Sequence, residues 1–437
     1  MGNRIGTLKW WQLSLIGVGC TIGTGYFLGS SIAIQLGGPI AVASFFIAGI
    51  GTYIVYMALA HMTMDHPEKG SFRAYSKNAF GHWAGFCNGW IYWTSELLIL
   101  GSQLTAIGLF MKFWFKDIPL WILTLVFAVL GLIVIFTGVK TFEKMENIFA
   151  VIKSAAILMF IILACLGIFG LLSGGEGAQL NEQSFLPKGI TGAWGSLLYA
   201  FYAFGGIEMM GLMATELKDT NDAPKAGKLM LILLTLVYVL SIGGALLLAP
   251  WKSFTPDESP FITALEAFNL PLFSHLFNGV FIIAGFSTMV AALYAVTTML
   301  VSLSETGDAP KVFSHKGKRD FPMSAIAFTT SGMGLSIIIA LLLPEKVYEY
   351  ITTAAGLMVL LNWVFILLAF RTLIQAGNWK KVQTWIGLIL VLFALTGALL
   401  QESTRPGVWV AAAFLGLIGI GWRSFRQRIM GREEDQQ

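Results

Sequence analysis

The chain has 437 residues, 56% of them hydrophobic and only 12% charged, with a mean hydropathy of +0.74. No water-soluble protein of this size hides that much apolar surface, so a polytopic all-α membrane protein is expected and a soluble enzyme is excluded. The net charge of +4 gives no argument for nucleic acid, and Cys20, Cys87 and Cys165 all fall in apolar stretches, so neither a disulfide framework nor a cysteine metal site is indicated.

Taken in chain order, twelve spans suffice to cross a bilayer core of roughly 30 Å as helices. They are 11–36, 39–64, 83–115, 120–138, 147–172, 189–217, 227–249, 270–303, 322–343, 348–370, 382–400 and 408–422. The first carries glycine and polar residues in its middle and no small-residue cleavage site, so it reads as a retained helix and not as a signal peptide. With the N-terminus placed in the cytoplasm, all but six of the 28 Lys and Arg residues lie on or near that side. The exceptions are Lys112, Lys116, Lys188, Lys252, Lys346 and Arg405. The positive-inside rule then puts both termini in the cytoplasm of a plasma-membrane protein. The longest loops, 61–82 and 305–321 inside and 173–188 and 251–269 outside, are too short for a separate soluble domain. His61, Asp65 and His66 have a metal-compatible spacing but lack a convincing third partner, so no metal is expected. The basic tail, 423–432, follows the inside rule.

The stretch from Gly17 to Gly29 organises the chain, because it sets five glycines and two threonines inside an apolar run. A helix interrupted there exposes peptide groups at membrane depth, which is tolerated only where they line a wet, protein-walled cavity. If the helix breaks between Cys20 and Gly23, the residues Thr21 and Ile22 lie in the break. The outer half then begins with unpaired N–H groups at Gly23, Thr24 and Gly25, a positive helix end suited to a carboxylate. Free carbonyls are expected near Val18 and Gly19. The sixth span offers a second interruption, Tyr202-Ala203-Phe204-Gly205-Gly206-Ile207-Glu208, whose outer half ends in the carbonyls of Tyr202, Ala203 and Phe204. An anion site and a cation site of backbone fit the zwitterionic end of a free α-amino acid. Glycine-broken spans one and six, each opening a five-span half, are also the pointer for inverted-repeat transporters. Side-chain selectivity falls to the walls, where Tyr202, Phe204, Met209 and Met210 suggest an apolar, adaptable pocket.

Three ionisable residues lie at membrane depth: Glu96 in span three, Lys153 in span five and Glu208 in span six. An amine whose surroundings alternate can load and release a proton, which makes Lys153 the candidate coupling group. Snorkelling to the nearby interface is the competing reading for Lys153. Glu96 has two readings, binding a proton or cationic side chain at the pocket or bonding neighbouring helices. Glu208 follows the break, where capping of the inner half-helix is the expected role.

The residues resemble a known family, the amino acid, polyamine and organocation transporter superfamily, and within it the bacterial amino acid permeases. The resemblance runs through spans one to ten. It is carried by Ile22-Gly23-Thr24-Gly25, Gly70-Ser71-Phe72 with Tyr75, and Gly89-Trp90 with Tyr92-Trp93. Further on come Glu96-Leu97, Glu146 with Ile152-Lys153, Phe204-Gly205-Gly206-Ile207-Glu208, Pro224-Lys225-Ala226 and Gly307-Asp308-Ala309-Pro310-Lys311. It implies a LeuT-type fold of five plus five inverted helices over 1–370, with two accessory helices and the tail in 371–437. It further implies alternating access and sodium-independent, proton-driven uptake. On this resemblance Lys153 takes the place of a sodium ion, with Ser287 and Thr288 as candidate neighbours. The chain departs from the family pattern at Thr298 and at Thr137-Gly138.

The expected function is proton-coupled import of a neutral, hydrophobic L-amino acid by alternating access. No nucleophile and base pair and no phosphate-binding loop stands out, so neither catalysis nor a cofactor is expected. The expected partners are the free amino acid, the proton and the lipid bilayer, with no nucleic acid. An amino acid exchanger, an importer of cationic amino acids and a non-transporting nutrient sensor are the competing readings.

Overall fold

The first apolar stretch does not form one helix. In the computed structural model, which describes residues 6–68, 70–136, 139–172, 184–268, 270–315, 322–342, 347–375 and 377–434, helix α1 (Trp10–Thr21) stops at Ile22. The chain passes through an extended Gly23, and α2 (Thr24–Phe27) begins on the far side. A kink at Leu28 joins α2 to α3 (Gly29–Gly37). Gly38, at a φ of 71°, then turns the chain into α4 (Ala41–Asp65). A glycine is needed there because a left-handed φ is strained for other residues.

Helix α5 (Phe72–Phe80) and helix α6 (His82–Lys112) meet at Gly81, whose φ is 89°. Next come α7 (Leu120–Ile135), α8 (Val139–Ile168), α9 (Gly189–Tyr202), α10 (Ile207–Met213) and α11 (Ala223–Leu248). The chain closes with α12 (Pro260–Leu265), α13 (Pro271–Glu305), α14 (Met323–Leu342), α15 (Val347–Leu373), α16 (Asn378–Leu400) and α17 (Arg405–Glu434). Proline stands in the first turn of α11, α12 and α13, where its missing N–H costs nothing. No strand occurs among the described residues.

Each of the twelve expected spans coincides with one helix, except the first, which is divided into α1, α2 and α3, and the sixth, which is divided into α9 and α10. By length and hydropathy alone, nine segments among the described residues suffice to cross a membrane, one of which, Thr24–Asp65, joins the outer half of span one to span two. Helix α7 is shorter. Several boundaries differ from expectation. Helix α8 starts at Val139, before 147, and α17 continues through the basic tail. The loops at 61–82 and 251–269 contain α5 and α12, too short to register as apolar spans. Thr137 and Gly138 lie outside the described residues.

Helix α6 is the central post. It is buried over most of its length and packs against α13, α15, α5 and α7. The outer helices carry apolar stripes that face away from the protein, such as Leu229, Ile232, Leu233, Leu236 and Leu240 on α11. That spacing is one helix face, and so large an exposed apolar face belongs against lipid. Polar side chains turn inward and pair between helices. Ser44 and Ser196 hydroxyls lie 2.6 Å apart, Tyr199 and Thr353 hydroxyls 2.7 Å apart, and Asn362 donates to Asn88 at 2.7 Å. At the end of the bundle that carries α5, buried Arg73 pairs with buried Asp308, and His82 Nε2 lies 2.9 Å from the same carboxylate. That pair ties α5 and α6 to the segment following α13.

Candidate functional site

Helix α9 ends at Tyr202, and a tight turn follows before α10. The Phe204 N–H donates to the Phe201 carbonyl and the Gly205 N–H to the Tyr202 carbonyl, both at 2.9 Å. Gly206, at a φ of 107°, starts α10 and lies directly against the break in the first span. A Cβ added to Gly206 would stand 2.7 Å from the Cys20 carbonyl oxygen. One added to Gly25 would stand 2.9 Å from the Tyr202 ring. The two interruptions therefore touch, and glycine permits the approach.

A small cavity of about 30 Å³ lies where they meet. Its walls include Thr21, Gly25, Tyr202 and Gly205 from the breaks, Tyr92, Glu96 and Gln103 from α6, Met209 from α10 and Thr288 from α13. That volume holds one or two waters and no amino acid. Phe204 and Met210, expected in the walls, are elsewhere. The Phe204 ring lies 5.0 Å from that of Tyr238, and Met210 packs beside Gly17.

The positive end of the outer half-helix is built from Gly23, Thr24 and Gly25, whose N–H groups have no carbonyl four residues back within the helix. The Gly23 carbonyl accepts from Tyr26 and Phe27 at 3.1 and 3.0 Å, which starts the helix. The Thr24 N–H donates to Gln103 Oε1 at 3.2 Å, and the Thr24 hydroxyl to the same oxygen at 2.6 Å. The far side of this turn is held by Tyr348 of α15, whose hydroxyl donates to the Thr24 carbonyl at 2.9 Å.

The carbonyls of Val18 and Gly19, expected to be free, are both engaged. Val18 accepts the Ile22 N–H at 2.9 Å, and Gly19 accepts Lys153 Nζ at 2.6 Å. Tyr202 is closed by Gly205, and the Ala203 carbonyl accepts the Tyr238 hydroxyl at 3.2 Å.

Lys153 is completely buried, which excludes snorkelling in this structure. Its ammonium also donates to Ser287 at 2.8 Å, and Ser287 donates onward to the Glu146 carboxylate at 2.8 and 2.9 Å. Lysine, serine and glutamate thus link α1, α8 and α13 around one buried charge pair. Thr288 stands apart from this chain. It lines the cavity beside Gly23, with its hydroxyl donated to the Ala284 and Gly285 carbonyls of its own helix. Glu208 lies outside the cavity wall. Its carboxylate accepts the Gly206 N–H at 2.9 Å and the Trp363 indole N–H, so it caps α10.

Sequence reasoning passed over Gln103 and gave no site role to Glu146 and Tyr92, which it named only among the residues that carry the resemblance. Glu146 precedes Lys153 by two helical turns on one face of α8, and that spacing is the signal that could have found it. Tyr92, Glu96, Ile99 and Gln103 repeat at intervals of four, three and four, a stripe of α6 facing the cavity. Beside the stripe one buried hydroxyl, Thr21 Oγ1, has no hydrogen-bond partner among the described residues, while the Tyr92 hydroxyl lies against the Glu96 carboxylate one turn along the same helix.

Comparison with known proteins agrees with this geometry. The family model described as "Amino acid permease" matches residues 12–418. An uncharacterized transporter of Bacillus subtilis strain 168, YcgH, is 54% identical over 418 residues, covering 95% of this chain and 94% of the relative. The aromatic amino acid transport protein AroP of Escherichia coli K12 is 30% identical over 433 residues, with the same coverage of 95% and 94%. AroP of Salmonella typhimurium strain LT2 is likewise 30% identical over 430 residues. The chain belongs to the amino acid permease family, membrane-embedded multi-pass transporters of amino acids.

Proposed function

We propose that this chain is a secondary active permease importing an aromatic L-amino acid together with a proton by alternating access. The observation that carries the reading is the contact between two broken helices over a cavity walled by Thr21, Glu96 and Met209. In this reading the substrate carboxylate takes the N–H groups of Gly23 and Gly25, and that of Thr24 in exchange for its bond to Gln103. Its ammonium takes carbonyls still open at the helix ends, those of Cys20 and Thr21 on one side and Phe204 on the other. The cavity is too small for an amino acid as it stands, and it widens by displacement of α1 or α10 before an aromatic side chain can enter. Both termini face the cytoplasm.

Proton coupling rests on the buried chain of Lys153, Ser287 and Glu146. A charged Lys153 fastens α1, through Gly19, to α13 and α8. Loss of that proton removes the charge that strengthens these bonds, which weakens the fastening and frees α1 to move. Relatives that carry aromatic amino acids support the substrate class.

The experiment is uptake of labelled phenylalanine into proteoliposomes under an imposed pH gradient. Accumulation that follows the gradient supports the reading. Flux that needs internal counter-substrate and ignores the gradient overturns symport in favour of exchange.

The unpaired Thr21 hydroxyl and the remaining acceptor capacity of the Tyr92 hydroxyl and Glu96 carboxylate suit a side chain that brings its own hydrogen-bond donor, such as an indole or a phenol. Tyr92→Phe is expected to weaken tryptophan and tyrosine uptake by about tenfold relative to phenylalanine. Competition uptake over the three amino acids reads this, and equal losses for all three would remove Tyr92 from the pocket. The same screen, extended to lysine and arginine, tests the alternative in which Glu96 pairs a cationic side chain.

A further inference from the structure

A second cavity, of about 990 Å³, opens on another face of α6, between α6, α14 and α17. Helix α17 contributes Phe414, Leu417, Ile418, Gly421, Ser424 and Phe425, the spacing of a single helix face. Helix α6 contributes Phe86, Trp90, Trp93 and Leu97 at the same kind of spacing, and α14 contributes Phe328 and Leu335. The result is an apolar channel running parallel to the spans, about 16 Å long from Phe86 to Leu97 at the helical rise of 1.5 Å per residue. Helix α17 leaves it open because only 11% of its apolar stretch is buried.

Two polar features sit at one end. Lys311, exposed, lines the mouth, and Arg423 and Arg426 of α17 are exposed beside the lining residues Ser424 and Phe425. Asp308 also lines this end, but its carboxylate is already held by Arg73 and His82. The mouth is therefore cationic. The Trp90 indole donates to the Asp308 carbonyl at 3.2 Å. One turn deeper, the Trp93 indole is 7% exposed, stacked on Phe328 at 5.5 Å, and its N–H has no partner among the described residues. The N–H is itself covered by the channel wall, and a buried indole N–H without an acceptor is costly, which favours a small turn of the indole toward an acceptor in whatever fills the channel.

We propose that the channel holds an acyl chain of an anionic phospholipid. Its phosphate rests on Lys311, its ester carbonyl accepts the Trp93 N–H about one helical turn below, and the chain runs down toward Leu97 and Leu335. The bilayer supplies this occupant at every moment. Zwitterionic lipid fits the channel but lacks a net charge to match the mouth. Because the 307–311 segment that forms the mouth also carries Asp308, the lipid braces the segment that is paired to Arg73.

The test is native mass spectrometry of the full-length protein equilibrated with phosphatidylglycerol or phosphatidylcholine of identical acyl chains. One phosphatidylglycerol is expected to remain bound in preference to phosphatidylcholine. Lys311→Gln is expected to reduce that retention about fivefold, the effect of one cation near a headgroup, and to erase the preference. Trp93→Phe keeps the ring stack and removes the N–H, so both lipids should be retained less. Gly421→Leu fills the channel, since an added Cβ there meets nothing closer than 3.7 Å, and should exclude both. Equal retention of the two lipids by the wild type and all three variants would overturn the proposal. A lipid-free dimer that Gly421→Leu dissociates would also overturn it and assign the channel to a second copy of the chain.

Discussion

Lys153→Ala is expected to abolish accumulation driven by a pH gradient, bringing it to the level of protein-free vesicles. The buried ammonium is fastened to the Gly19 carbonyl and to Ser287, which in turn holds Glu146. Alanine removes both bonds, and no other charged side chain is bonded to the Gly19 carbonyl among the described residues. The single variant also strands the Glu146 carboxylate in the membrane interior without its counter-charge, and breaking a buried pair in this way typically costs about 3–5 kcal/mol. Misfolding would mimic lost coupling, so the decisive protein is the double variant Lys153→Ala with Glu146→Gln, which removes both charges together. It should fold, bind phenylalanine and exchange it across the membrane, yet build no gradient. Thermal unfolding in detergent, a binding titration and uptake in proteoliposomes separate the three properties. Undiminished accumulation in the double variant would remove Lys153 and Glu146 from coupling.

Gly23→Val is expected to lose substrate binding. The site of the added Cβ lies 2.7 Å from both Thr288 side-chain atoms, Oγ1 and Cγ2, and 3.1 Å from Gln103 Nε2. A branched side chain there must push the first turn of α2 away from α13 and α6, and with it the hydrogen bond from Thr24 to Gln103. Overpacking of this kind costs about 1–3 kcal/mol, or roughly 5- to 150-fold in affinity if the strain falls on the binding turn. Gly29→Ala supplies the comparison. It lies in the next helix, where the added Cβ meets the Tyr348 hydroxyl at 3.6 Å and the Thr24 carbonyl oxygen at 3.9 Å, both ordinary contacts, and should bind as the wild type does. Isothermal titration of the two variants reads the contrast. Equal affinities would mean that the turn at Gly23 does not hold the substrate.

The breaks were legible because glycine is concentrated at two places in an otherwise apolar chain, and a helix in lipid has few other reasons to carry Gly23 with Gly25, or Gly205 with Gly206. Lys153 was legible because an amine in an apolar run stands out, although its place about two turns from the interface left snorkelling open until the structure showed it buried. Glu146 was harder. It sits before the apolar run begins, so hydropathy assigns it to the interface, whereas helix α8 starts at Val139 and carries it inside. The stripe of Tyr92, Glu96 and Gln103 was hidden for a different reason. Helix α6 is buried on nearly every side, so no amphipathic contrast marks the face that meets the cavity. The open carbonyls were misplaced by about half a turn, because counting free groups at a helix end says nothing of a lysine arriving from another helix. Helix α5 was read as loop, its nine residues falling below the length at which apolar periodicity stands out, although Phe72, Arg73 and Tyr75 are all buried.

The central claim is that two unwound segments bind the two charged ends of one amino acid with main-chain dipoles. Calorimetric titration of the purified protein with phenylalanine, phenethylamine and 3-phenylpropionate tests it most directly, because the latter two keep the ring and lack the carboxylate or the ammonium. The account predicts heat of binding for phenylalanine and loss of at least about 100-fold in affinity for each analogue, the worth of a charge-assisted hydrogen-bonded end group. Binding of either analogue within about threefold of phenylalanine, less than the worth of one ordinary hydrogen bond, would contradict it.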